Sequence, residues 1–172
     1  MRRGGFTLIE MIVVVFVMAA LASIAAPSIA SMIKASRTRS YLDAVERLPS
    51  DASQEARRSG VTVSLLADDN GTFQLEQSSD SDAEPTVIKA VDPVPEVSPN
   101  RFSTPRGEAG SGEWEVKFYP DGTSDRGGVE FDEGGTTWAL TIDSHGRGTM
   151  TKAELPAIED DRWPAGDYVH RS

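Results

Sequence analysis

The chain has 172 residues and a formal net charge of −10, from 17 lysines and arginines against 27 aspartates and glutamates. That length suits one compact domain plus an added segment, and the acidity argues against DNA, RNA or an anionic membrane face as partner, because phosphate binding needs a basic patch. With no cysteine and only two histidines, His145 and His170, thiolate chemistry is excluded and a zinc site of the Cys/His type nearly so.

The chain opens Met1-Arg2-Arg3-Gly4-Gly5-Phe6-Thr7-Leu8-Ile9-Glu10, and no further charge appears until Lys34. As a helix rising about 1.5 Å per residue, the apolar run from Met11 to Ile33 would reach roughly 34 Å, enough to cross a bilayer core. A secretory signal peptide is the plainer reading, and Ala20, Ala22, Ala25 and Ala26 could mimic its cleavage site, but its apolar core is usually only about 7–15 residues long. Glu10 stands apart. A carboxylate at the edge of an apolar segment is costly to carry into lipid and calls for a cation.

Pro27 interrupts the run, and a helix-interior proline removes a hydrogen bond and kinks the chain. Beyond Ile33 the pattern turns amphipathic, with Tyr41, Leu42, Val45 and Leu48 on one helical face. Pro49 reads as a second interruption, after which Ser50 or Asp51 caps a new turn that runs to Arg58 and ends at Gly60. The character then becomes β. Val61–Leu66 and Thr72–Glu76 read as strands around an Asp69-Asn70-Gly71 turn, and Thr86–Val91 as a weaker one. The rest of the long insert at 78–112 is a polar loop from Ser78 to Glu84 and, from Asp92 to Gly112, a long Pro/Gly/Ser-rich loop or a set of irregular edges. Trp114–Tyr119, Val129–Phe131, Thr137–Ile142 and Gly148–Thr151 complete the strands, with Pro120-Asp121-Gly122 as a turn, and an acidic, irregular tail ends the chain. Trp114, Phe118, Phe131 and Trp138 are read as core residues on alternating strand faces.

The stretch Gly4-Gly5-Phe6-Thr7-Leu8-Ile9-Glu10, joined to the uncharged run behind it, resembles the processing signal of type IV pilins and type II secretion pseudopilins. The resemblance implies that a membrane peptidase cuts between Gly5 and Phe6 and methylates the new amine of Phe6. It implies too that Glu10 pairs with the amino terminus of a neighbouring subunit during assembly. A proline in the region of Pro27 is common in pilins, where it softens or kinks the helix. Two further stretches resemble the minor pseudopilins of the GspH/FimT-like family: Glu55-Ala56-Arg57-Arg58-Ser59-Gly60-Val61-Thr62-Val63, and Phe118-Tyr119-Pro120-Asp121-Gly122-Thr123 succeeded by Leu140-Thr141-Ile142-Asp143 and Gly146-Arg147-Gly148. The fold implied by this resemblance is an α+β, pilin-like architecture, with a long transmembrane and amphipathic helix packed on an antiparallel, sandwich-like β domain. The domains implied are a leader at 1–5, a helix at 6–59 whose residues 6–33 form the membrane span and filament core, and a β-rich body at 60–172.

The same resemblance implies a structural subunit near the tip of a secretion pseudopilus. Its partners would be other minor and major pseudopilins, the prepilin peptidase/methyltransferase, the inner-membrane assembly platform and the membrane, which it crosses once. Its amino terminus would be cytoplasmic and its body periplasmic. A minor pilin of a type IV pilus, serving adhesion, twitching or DNA uptake, is the alternative, and the net acidity speaks against a DNA partner. Arg2 and Arg3 before the span are outnumbered by Lys34, Arg37 and Arg39 after it, so the positive-inside count alone would favour the opposite orientation. No catalytic, cofactor or metal residue is expected. Asp143, Ser144 and His145 are merely adjacent on a turn, and the acidic groups at Asp68–Asn70, Asp80–Glu84 and Asp121–Asp125 lack the spacing of a calcium loop.

Overall fold

The computed structural model describes residues 7–68, 70–77 and 84–159, without the side chains of residues 24–27. The predicted leader, Gly5 and Phe6 lie outside the described residues, as does the end of the acidic tail, and a kink at Pro27 is not described. The chain divides into two compact units, Met1–Arg39 and Ser40–Ser172. The long helix α1 runs from Leu8 to Ser59. Within the first unit it carries apolar side chains on every side: Leu8, Ile9, Phe16, Met18 and Leu21 are all more than 60% exposed, and the apolar residues between them, Met11 to Val17, are exposed too.

In the second unit, α1 contributes Tyr41, Leu42, Val45, Leu48, Ala52 and Ala56 to the core. These positions recur at three- and four-residue intervals, which keeps them on one face. The predicted break at Pro49 does not occur. Pro49 is helical and buried, and it lies in an apolar row with Leu48 and Ala52, each fully buried. Packing of that row offsets the hydrogen bond that the ring removes. The helix ends where Gly60 takes φ 71° and its N–H reaches the Ala56 carbonyl at 3.0 Å, a left-handed stop that a side chain would resist.

Beyond the helix, the described residues hold nine strands: β1 (Val63–Ala67), β2 (Phe73–Gln77), β3 (Thr86–Val91), β4 (Ser98–Thr104), β5 (Gly107–Ala109), β6 (Glu115–Phe118), β7 (Gly127–Glu133), β8 (Thr136–Ile142) and β9 (Gly148–Thr151). They form two antiparallel sheets, ordered β3-β2-β1-β6 and β5-β4-β7-β8-β9. Phe73 of the first sheet meets Phe131 of the second at 5.8 Å between ring centroids and Trp114 edge-on at 6.2 Å. One continuous core therefore joins helix and both sheets. Trp138 sits at its margin rather than inside it, half-buried, its indole N–H donated to Glu133 Oε2 at 2.9 Å.

Within the segment 78–112 the weaker strand expected at Thr86–Val91 is present as β3, but residues 92–112 are not the loop the sequence suggested, because β4 and β5 lie in them. Pro99 does not prevent β4 from forming. It stands at the start of the strand, beyond the residues that pair with β5, and beside a register irregularity against β7. The described part of the acidic tail, residues 153–159, has no regular structure, yet it is fixed to the outer face of the second sheet. Leu155 donates its N–H to Glu130 Oε2 at 2.8 Å, and its carbonyl accepts from Arg101 Nη2. Its side chain is 5% exposed and lies over Gly128, where a Cβ would come within 2.5 Å of Leu155 Cδ1. Arg126 Nη1 donates to the Glu159 carbonyl at 3.0 Å.

Candidate functional site

Of the residues that the sequence singles out for processing and subunit pairing, Glu10 lies among the described residues, at the amino end of α1. Thr7 stands just before the helix, and its side-chain oxygen and carbonyl both accept from the Glu10 N–H, at 3.3 and 3.1 Å. Thr7 is thus the N-cap and Glu10 the third helical residue, the spacing of a capping box. Glu10 therefore has a place in the fold independent of any partner: it lies in the first turn, exposed, where the partial positive charge of the helix end favours a carboxylate. The Thr-x-x-Glu spacing is legible in the sequence, and it adds a local stabilising role to the expected pairing role.

From Met11 to Ile33 every described side chain of the helix is exposed. The most apolar 18-residue window of α1 has a mean hydropathy of 2.6 and is 0% buried, so the helix is long and apolar enough to cross a membrane. A helix that is apolar all round has no stable position in water and requires lipid or other apolar helices around it. The sequence-predicted charge at Glu10 lies at one end of this segment and Lys34 at the other.

Elsewhere the candidate chemistry resolves into turns. Asp143 Oδ1 accepts the N–H groups of His145 and Arg147, both at 2.9 Å, so the carboxylate is committed to the hairpin and not to the imidazole. Ser144 Oγ and His145 Nδ1 are 3.5 Å apart on neighbouring exposed residues. Asp121 Oδ1 accepts from the Thr123 N–H at 2.9 Å and from its hydroxyl at 2.7 Å. Those hydrogen bonds hold the Asp121 carboxyl below its ordinary range. Asp68 is likewise lowered: partial desolvation alone would raise it, but the N–H groups of Thr72 and Asn70 outweigh that. Among the described residues, no group of three or more His, Asp or Glu side chains is placed to hold a metal ion.

A capped helix start with a first-turn glutamate, an apolar helix segment whose described side chains are all exposed, and a helix-backed pair of antiparallel sheets together define a membrane-anchored, pilin-like subunit. Comparison with known proteins gives the particular family. The prokaryotic N-terminal methylation motif matches residues 1–26, and the model of the type II transport protein GspH matches residues 51–146, more than half of the chain. The chain belongs to the GspH family of type II secretion pseudopilins. In fold it is similar to the minor pseudopilin EpsH from the type 2 secretion system of Vibrio cholerae, with a TM-score of 0.50 at 13% identity, covering 74% of this chain and 98% of that one. No curated protein matches the sequence at a significant level.

Proposed function

We propose that this chain is a minor pseudopilin, a structural rather than catalytic subunit near the tip of the type II secretion pseudopilus, and that it works by assembly. The observation that carries the reading is the joining, in one chain, of a methylation motif at residues 1–26 to a GspH body at residues 51–146. In this reading the precursor spans the inner membrane once, its amino terminus cytoplasmic and its body periplasmic. The prepilin peptidase removes residues 1–5 by cutting between Gly5 and Phe6 and methylates the Phe6 amine. The Glu10 carboxylate then pairs with the amino terminus of a neighbouring pseudopilin, which supplies in a low-dielectric setting the cation that an ionised side chain there needs. Residues 6–33 enter the filament core with the helix softened at Pro27, and the inner-membrane assembly platform adds the subunit to a filament that drives secretion across the outer membrane.

The test is the intact mass and amino-terminal sequence of the protein from native membranes, with and without the peptidase. A mature chain beginning at N-methylated Phe6, lost without the peptidase, is expected. A chain beginning at Met1, or cut near Ala26, would overturn the reading. Gly5→Ala is expected to slow processing. Glu10→Ala should leave cleavage largely intact while preventing incorporation; a Glu10→Ala subunit recovered in filaments at the normal level would remove the pairing role.

A further inference from the structure

The three cations after the apolar run take no part in processing or subunit pairing, and on the count of flanking charges they oppose the proposed orientation. Lys34, Arg37 and Arg39 are exposed, and among the described residues none of them makes an ion pair. No acidic residue lies between Glu10 and Asp43 to compensate them. Their placement is specific in two respects. Along the helix they begin at the first residue after the apolar segment and extend about 7.5 Å, which matches the head-group layer of one leaflet, roughly 5–8 Å deep. Around the helix, at about 100° per residue, Arg37 lies about 60° to one side of Lys34 and Arg39 about 140° to the other. The charges therefore encircle the helix instead of lining one face. A neighbouring subunit would meet one side of the helix; a head-group layer surrounds it.

We propose that Lys34, Arg37 and Arg39 form a collar that recruits anionic phospholipid head groups on the body side of the membrane. The inference rests on the single-span reading of α1. Each cation contributes through its phosphate contacts, with the long side chains able to reach outward from the helix while their stems stay against acyl chains. The acidity of the whole chain misleads here, because it belongs to the body and the tail; the collar is a local reversal of sign directly beside the span. Anionic lipid held there would neutralise the translocated cations and fix how deep the unassembled subunit sits. The subunit would shed that lipid when it leaves the bilayer for the filament.

The absence of cysteine makes the test clean. The full chain with Ser36→Cys, an exposed position, carries a fluorescent donor and is placed in phosphatidylcholine nanodiscs. These hold a trace of head-group-labelled acceptor, either phosphatidylglycerol or phosphatidylcholine. Energy transfer to phosphatidylglycerol is expected to exceed that to phosphatidylcholine several-fold at low salt. Each of Lys34→Gln, Arg37→Gln and Arg39→Gln should lower the preference by up to about fivefold, and the triple variant should abolish it. Vesicle flotation of the same variants separates the two readings: a chain that fails to float has lost the span, whereas one that floats without lipid preference has lost only the collar. Equal transfer to both lipids in the unmodified chain would overturn the proposal, as would a preference unchanged in the triple variant. So would lipid parity accompanied by collar-dependent, salt-sensitive capture of an acidic pseudopilin body, which would assign the cations to a protein partner.

Discussion

Tyr41 shows how much a single residue of α1 carries. Its ring is 4% exposed and meets Phe131 edge-on at 6.2 Å, which ties the helix to the second sheet. Its hydroxyl is buried with no hydrogen-bond partner among the described residues, and burial pushes the phenol well above its ordinary range. A group held neutral in this way contributes stability that is fully present below the unfolded value near pH 10 and is lost as pH climbs above it, because only the unfolded chain then ionises. Tyr41→Phe keeps the ring and removes the buried oxygen. It is expected to leave stability unchanged or raise it by about 1 kcal/mol, and to flatten the alkaline part of the stability curve, as measured by thermal unfolding between pH 8 and 11. A loss above about 1 kcal/mol at neutral pH would mean that the hydroxyl is well satisfied in the fold.

At the scale of elements, the helix does more than cover the core. It also closes the free edge of the second sheet. Glu46 Oε1 accepts the Met150 N–H of β9 at 3.0 Å, and β9 approaches so closely that a Cβ on Gly148 would lie 2.8 Å from the Glu46 carbonyl oxygen and 2.9 Å from Pro49 Cγ. An open strand edge is a template for unwanted pairing, and here a helix seals it. Gly148→Ala pushes against helix backbone and should cost about 2 kcal/mol, while Glu46→Ala, which leaves the Met150 N–H without its acceptor, should cost about 1 kcal/mol, both read from denaturant midpoints. The same contact explains what the sequence concealed. Pro49 reads as a break because local propensity disfavours it, and only the fold reveals that its ring is buried. Strand β4 was illegible because Phe102 is its single large apolar residue; its polar Arg101 faces outward, where Glu130 and the tail engage it. By contrast the anchor, the first-turn glutamate and the strands at β6, β8 and β9 were legible, because each depends on contiguous residues with a regular period or a linear motif.

For the whole molecule, the least expected feature is that the tail serves as part of the body. The outer face of a sheet normally reads as polar and solvated, and β7 and β8 present Gly128, Glu130 and Ala139 there, yet Ala139 is fully buried. Residues 153–159 lie on this face. Leu155 fills the space that Gly128 leaves open, Arg101 and Glu130 hold its carbonyl and N–H, and Arg126 takes the Glu159 carbonyl further along the tail. The Arg101–Glu130 pair, at 3.3 Å, is thereby bridged by main chain rather than left as a surface ion pair of small value. Two changes separate the contributions. Leu155→Ala removes the apolar part alone and should cost about 2 kcal/mol. Ending the chain after Thr151 removes the backbone contacts too, and should cost more and expose the Glu130–Arg101 pair to salt screening. Unfolding in detergent of the unmodified chain, Leu155→Ala and the truncated chain, each carrying Trp163→Phe where that residue is present so that the near-ultraviolet signal comes from Trp114 and Trp138, measures both at low and high salt. If the tail is part of the body, the truncated chain melts lower than Leu155→Ala at every salt concentration and alone loses stability as salt rises. If the tail merely rests on the sheet, both variants melt with the unmodified chain.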